Sequence, residues 1–409
     1  MNRNIFLYCI ALVLPVFMLS SCEKLGEKKP SSNNVYLKGY EYIRNISELE
    51  VEYNMNILTN LYPEAASIKE KATLGVNIYT ITYKTSFQGK EIMASGLVSV
   101  PIGDGPFPFM SFQNGTNTLH DKAPSKDPNG ELFLVLETIA STGFVIAIPD
   151  YLGFGVSDTM FHPYLDKEST VQTVMDMLNA TKELVNRDNL DVNTYDDLYI
   201  SGYSMGGWAT LQLQKELETS ASPGFNLKAS ACGAGPYNLL FINRYILDQV
   251  TYPMPYFVGY MLNSYKELGY ITNSLSEILN GTYASLIPSL FNGVNDGAAI
   301  NSQLTDNVSE LFTEEYQNGF NSAPAYSSVR SALVNNSIDA WDIATPLMLF
   351  HGEGDTFVPY QVSRNMYDDM IELGVSTDKV QLSGLPGGGH QEGILPFGIA
   401  SVLWFIDVK

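Results

Sequence analysis

Apolar residues recur at two spacings along this chain, and the places where one spacing gives way to the other outline its elements. Residues 76–83 and 92–100 alternate apolar and polar positions, which predicts a β-hairpin closed at Gln88-Gly89 and ended by Pro101. Residues 107–112, 142–149, 229–234, 347–351 and 379–382 are short and mostly apolar, as a strand covered on both faces requires, with Pro108 placing the start of the first after it. Residues 168–187 and 208–217 carry apolar positions at helical spacing, and 40–70 show the same period with acidic residues on one side, which predicts one or two helices packed on a sheet. Strands that alternate with helices imply right-handed crossovers and a mostly parallel sheet, hence an α/β fold flanked by helices.

The alternation stops between Pro236 and Trp341. About a hundred residues are too many for a simple crossover, so 236–340 are expected to form an inserted, largely helical cap, dividing the core into 40–235 and 341–409. Amphipathic pieces fall near 237–247, 275–290 and 309–319. The aromatic run 252–261, with Tyr256 near its middle, suits either a pocket wall or the cap's own small core.

Candidate chemistry gathers at the ends of the apolar runs. Residues 198–200 lead into Gly202-Tyr203-Ser204-Met205-Gly206, and the helical pattern follows at once. A serine hydroxyl is a weak nucleophile, so it needs a sharp strand-to-helix turn that lifts its oxygen clear of the sheet and sets it beside a base. The run 346–351 enters a turn with two carboxylates, of which Asp355 is the better orienting acid and Glu353 the second choice. Thirty-five residues on, the glycine loop before His390 can carry an imidazole to the top of the sheet, giving the order Ser204, Asp355, His390. His351 precedes the acid and reads as positional; His120 and His162 sit on loops bordering the expected pocket.

A developing oxyanion needs two backbone donors, for which the amides of Met205 and Thr116 are the candidates, with Gly115 permitting close approach. Asn114, Tyr203, Tyr151, His162 and Tyr256 are candidate substrate contacts. No histidine pair has the spacing of a zinc helix, so neither metal nor cofactor is expected.

A net charge of -21 leaves no basic stripe for phosphates, which argues against a nucleic-acid partner. The leader changes the compartment: Arg3, an apolar run over 5–19 and Leu19-Ser20-Ser21-Cys22 form a targeting segment, and the next residues, 23–39, read as a flexible tether. Of three cysteines, Cys9 leaves with the leader and Cys232 lies in an apolar strand pattern as a structural thiol.

These residues carry two resemblances. Leu19-Ser20-Ser21-Cys22 resembles the lipobox of bacterial lipoproteins, which implies lipidation at Cys22, attachment to the outer membrane and a signal peptide over 1–22. Gly202-Tyr203-Ser204-Met205-Gly206-Gly207, the turn at Asp355 and Gly389-His390 resemble an α/β-hydrolase, and Pro149 to Gly155 with Phe161-His162-Pro163-Tyr164 is similar to proteins of the secretory-lipase type. That resemblance implies a serine carboxylester hydrolase acting on a small-molecule or glycan-linked ester under a helical cap. The loop Gln113-Asn114-Gly115-Thr116 departs from it, since many members carry His-Gly there. Two other readings stay open. One is a dipeptidyl- or tripeptidyl-type serine peptidase, which would grip an amino terminus with carboxylates such as Asp248, Glu267 or Glu277. The other is a lipid-anchored glycan-binding protein on an inert hydrolase fold.

Overall fold

The computed structural model describes residues 34–187, 190, 192–219 and 224–409, so the leader, Cys22 and most of the proposed tether lie outside the described residues. A nine-stranded sheet runs through the core. Its strands are β1 (Leu37–Ile46), β2 (Val76–Phe87), β3 (Lys90–Pro101), β4 (Phe107–Gln113), β5 (Val145–Pro149), β6 (Thr194–Tyr203), β7 (Asn226–Gly233), β8 (Leu347–Gly352) and β9 (Val380–Leu385). They lie in the order β1-β2-β3-β5-β4-β6-β7-β8-β9. The first three and the β3–β5 junction pair antiparallel, and the remaining pairs from β5 to β9 are parallel.

Strand β4 lies between β5 and β6, so the chain reverses its winding direction there. Loops leaving adjacent strands at such a switch part to opposite faces and open a crevice at the carboxyl ends. The loop after β4 and the turn after β6 meet at this point. Every residue of β4 and β5 is buried, as their uninterrupted apolar runs require. Helices Lys167–Val185, Met205–Thr219 and Gln361–Glu372 cover one face of the sheet. Helices Glu48–Leu61, Glu131–Ala140 and Ile394–Val408 cover the other.

Residues between β7 and β8 form helices and turns, beginning with Leu239–Leu247 and Pro255–Glu267 and ending with Ser327–Asn336. Aromatic stacking and hydrogen bonds clasp this segment to the core. Tyr260 stacks on Tyr164 at 4.5 Å and on Phe291 at 4.4 Å, both nearly parallel. The Trp208 indole donates to the Asn336 carbonyl at 2.9 Å, and the His120 amide donates to the Gly293 carbonyl at 2.8 Å.

Two elements depart from the sequence reading. The stretch 40–46, expected to be helical, belongs to β1, which begins at Leu37 inside the expected tether; helix starts only at Glu48, behind the Ser47 cap. Register irregularities between Leu37 and Gly39 and between Tyr42 and Arg44 break the two-residue alternation that would have announced a strand. Pro108 lies inside β4, not before it. A register irregularity between Phe107 and Phe109 accommodates the missing N–H.

Strand β1 is joined to the layer beneath the sheet by Arg44, whose guanidinium contacts the carboxylate of Glu137 on helix Glu131–Ala140. Glu137 is fully buried, and burial pushes its carboxyl up to about 8 against the pull of Arg44. A carboxyl raised in the folded state holds its proton longer than in the unfolded chain. Its contribution to stability is therefore complete below about pH 4.5 and declines as pH climbs towards 8. Thermal melts at pH steps through that window should show the wild type losing several degrees that Glu137→Gln does not lose, while equal slopes for the two proteins would refute this account.

Candidate active site

The turn after β6 is built around a residue in a disfavoured conformation. Ser204 has φ of 60°, in the left-handed region that side chains with a Cβ seldom occupy. Its amide donates to the Gly233 carbonyl on β7 at 2.8 Å, and its carbonyl accepts from Trp208 at 3.2 Å, so the strained turn is bonded on both sides. The neighbouring glycines make the packing possible. A Cβ on Gly206 would run into the carbonyls of Gln113 and Asn114, and one on Gly207 would strike the carbonyl of Gly233. Helix Met205–Thr219 starts on the next residue and directs its free N–H groups and positive dipole end at the crevice.

Three side chains from separate stretches meet over this turn. His390 Nε2 lies 2.8 Å from Ser204 Oγ, and His390 Nδ1 lies 2.6 Å from Asp355 Oδ2. The carboxylate can only accept, so the imidazole proton sits on Nδ1 and Nε2 is left to take the serine hydroxyl hydrogen. Asp355 Oδ1 accepts the amides of Phe357 at 2.8 Å and Val358 at 3.0 Å. Burial alone would raise the Asp355 carboxyl; the hydrogen bonds from His351 and His390 outweigh it and hold the group at about 2. It is therefore an anion throughout the neutral range. Glu353, the second-choice acid, is exposed and lies against Gly384, away from both imidazoles.

The loop after β4 lies against the serine. A Cβ placed on Gly115 would sit 3.5 Å from the Tyr203 carbonyl and 3.9 Å from Ser204 Cβ, close enough for the backbone here to face an oxyanion. The loop is held from outside. Asn114 Nδ2 donates to the Pro149 carbonyl at 3.0 Å, the Tyr151 hydroxyl donates to the Asn114 carbonyl at 3.3 Å, and Thr116 Oγ1 pairs with the Tyr164 hydroxyl at 2.8 Å. A cavity of about 250 Å³ adjoins this loop, lined among others by Asn114, Gly115, Thr116, Tyr151, His162 and Met205. His162 is buried among aromatic rings; burial lowers its pKa to about 4, so it is neutral, with Nδ1 donating to the Leu152 carbonyl at 2.7 Å.

The remaining candidates fall elsewhere. The Tyr203 hydroxyl donates to the backbone carbonyl of His390 at 2.7 Å, which makes it a brace for the histidine loop and not a wall of the cavity. Tyr256 is buried in the cap, its amide on Asn301 Oδ1 at 3.0 Å and its ring 4.4 Å from that of Phe257, so it belongs to the cap's own core. His120 stands beside Gly293 of the cap, edge-on to Phe154. Cys232 is fully buried in β7, and burial pushes its thiol up.

Two contacts of the site escape the sequence pattern. The Phe357 ring lies 5.2 Å from that of His390 and 6.4 Å from that of Phe257, which brings the cap to the histidine. His351 contacts Asp355 directly, Nε2 to Oδ2 at 3.1 Å. The one hint of that contact was a histidine at the end of an apolar run four residues before the acid.

Residues 130–391 match the family described as serine aminopeptidase, S33. No curated protein matches the chain. Among solved structures, a Legionella pneumophila protein provisionally described as a hydrolase is 26% identical with a TM-score of 0.79, over 91% of this chain and 97% of that one. The ligand-bound rice cell wall degrading esterase LipA of Xanthomonas oryzae is 24% identical with a TM-score of 0.75, over 91% and 97%. Candida antarctica lipase A in its closed state is 18% identical with a TM-score of 0.64, over 91% and 81%. At those identities the last two speak for the fold alone. The family match takes in the turn at Ser204, the turn at Asp355 and the loop at His390 together, and on that match the chain belongs to the serine aminopeptidase S33 family, as a serine hydrolase of the α/β-hydrolase fold.

Proposed function

We propose that this protein is a carboxylester hydrolase that works through an acyl-enzyme on Ser204. The observation that supports this reading is the continuous contact from Ser204 Oγ through His390 to Asp355, at 2.8 and 2.6 Å. In the first step Ser204 Oγ attacks the ester carbonyl carbon while its proton passes to His390 Nε2. Asp355 holds the ring in the required tautomer and stabilises the imidazolium. The amides of Met205 and Thr116 receive the oxyanion, with Gly115 permitting the approach. Collapse breaks the bond to the alcohol, which leaves with the proton from His390. Water then gives a proton to His390 and its oxygen to the acyl carbon; the second collapse releases the acid and returns the proton to Ser204.

The family's description raises a peptidase as the second reading. A peptide amino terminus needs an anionic partner in the pocket. Glu267 and Glu277 are exposed, Glu277 is engaged by Ser274, and neither they nor Asp248 line the cavity. The carboxylate that does line it, Asp150, is buried and already accepts from Ser95 and Ser125. Such a cavity favours a neutral ester over a charged amino terminus. As part of the same proposal, Cys22 carries a lipid that keeps the enzyme at the outer membrane, where it meets a small-molecule or glycan-linked ester.

Turnover of a p-nitrophenyl ester should fall by about 10⁴- to 10⁶-fold in Ser204→Ala and by about 10⁴-fold in Asp355→Asn. Wild-type turnover in the first variant would end the proposal. Side-by-side assays of acyl esters and aminoacyl anilides should show hydrolysis of the esters; faster cleavage of the anilides would transfer the site to the peptidase reading. Cys22→Ala should move the protein from the membrane pellet to the soluble fraction, and unchanged sedimentation would refute the anchor.

A further inference from the structure

His351 is a buried titratable group that the mechanism above leaves idle, and it touches the acid of that mechanism directly. It sits at the end of β8 with none of its side chain exposed, packed against the acid turn and helix Gln361–Glu372. Nε2 faces two acceptors, the Val358 carbonyl at 2.8 Å and Asp355 Oδ2 at 3.1 Å, so it must carry a hydrogen. Nδ1 lies 2.7 Å from the hydroxyl of Ser363, which can donate to it and keep the hydrogen on Nε2. The oxygen that receives this hydrogen is the one that receives His390 Nδ1–H.

Two imidazoles thus converge on one carboxylate oxygen, while the turn's own amides occupy the other. A carboxylate tied at Oδ1 alone could tilt its second oxygen out of line with His390. The His351 N–H removes that freedom from behind. Closing the turn needs only the bond to the Val358 carbonyl, and a buried polar ring with no further task would be a poor filler between a strand and a helix. We propose that His351 is a positioning residue for the reaction: it aims Asp355 Oδ2 at His390 and acts on turnover solely through that carboxylate. The inference rests on the esterase reading, so ester turnover by the wild type and its loss in Ser204→Ala are established first.

The test is a double-mutant cycle on kcat for a p-nitrophenyl ester, with folding monitored by thermal melts. His351→Met, which fills space without a donor, should lower kcat by about 10- to 100-fold, the weight of one hydrogen bond to a charged group. KM should stay within about threefold, because His351 touches no substrate. His351→Gln, whose amide can reach the same oxygen, should recover most of the loss, and Ser363→Ala should show a smaller fall of the same kind. In the Asp355→Ala background, His351→Met should change kcat by no more than about threefold. An equal cost in both backgrounds, or equal impairment by the Met and Gln variants, would overturn the role of His351 while leaving the esterase reading intact. Should His351→Met fail to fold, the Ser363→Ala variant, compared with and without Asp355, decides the matter by the same criterion.

Discussion

Ser204 occupies a backbone conformation that costs about 1–3 kcal/mol, and the carboxyl edge of the sheet is arranged so that the cost is tolerated. A φ of 60° is what turns the chain from strand to helix within one residue and leaves the hydroxyl standing clear of both. The turn survives because β4 and β7 press on it from either side. Gly206 admits the carbonyls of Gln113 and Asn114, Gly207 admits that of Gly233, and the serine amide is itself bonded to Gly233. Those close approaches exist only where β4 and β7 flank β6, so the winding reversal of the sheet and the exposure of the Ser204 hydroxyl are one constraint seen at two scales.

From that constraint the rest of the site follows by proximity. The loop after β4 has nowhere to go but over the serine, and the residues that hold it belong to the end of β5 and to the loop that follows it. Asp355 and His390 arrive from the turns after β8 and β9, beyond β7, and each is braced by its own neighbourhood. Tyr203 holds the carbonyl of His390, and four hydrogen-bond donors surround Asp355. A carboxylate so surrounded keeps its charge in a buried place, where that charge is felt most strongly by the imidazole in contact with it. The cap adds its aromatic stack on one side, and on the other its Phe257 meets Phe357 of the turn after β8, so both flanks of the crevice end in rings.

Much of this was legible in the sequence, for physical reasons that differ by element. Buried parallel strands announce themselves as apolar runs, and the turn at Ser204 as glycines at fixed offsets, because each is dictated by local sterics. Ser204, Asp355 and His390 could be paired because their order along the chain follows from the order of the strands that carry them. Residues 40–46 were misread because irregular register in β1 erased the alternation. The helices Glu131–Ala140, Gln361–Glu372 and Ile394–Val408 went unremarked, the last because apolar residues run almost all around it and leave no amphipathic stripe. Tyr203 read as a substrate contact from its place beside the nucleophile, whereas its hydroxyl turns inward to the histidine loop. Contacts such as His351 with Asp355 belong to tertiary packing, which no spacing rule encodes.

The account stands on Ser204 being the one hydroxyl that this arrangement makes nucleophilic. Treatment of the intact protein with a fluorophosphonate, followed by peptide mapping, tests that directly. The account predicts a single adduct, carried by the peptide containing Ser204 and lost when His390 is replaced by alanine. Absence of any adduct in the folded wild type, or an adduct on another residue with Ser204 unmodified, would contradict it.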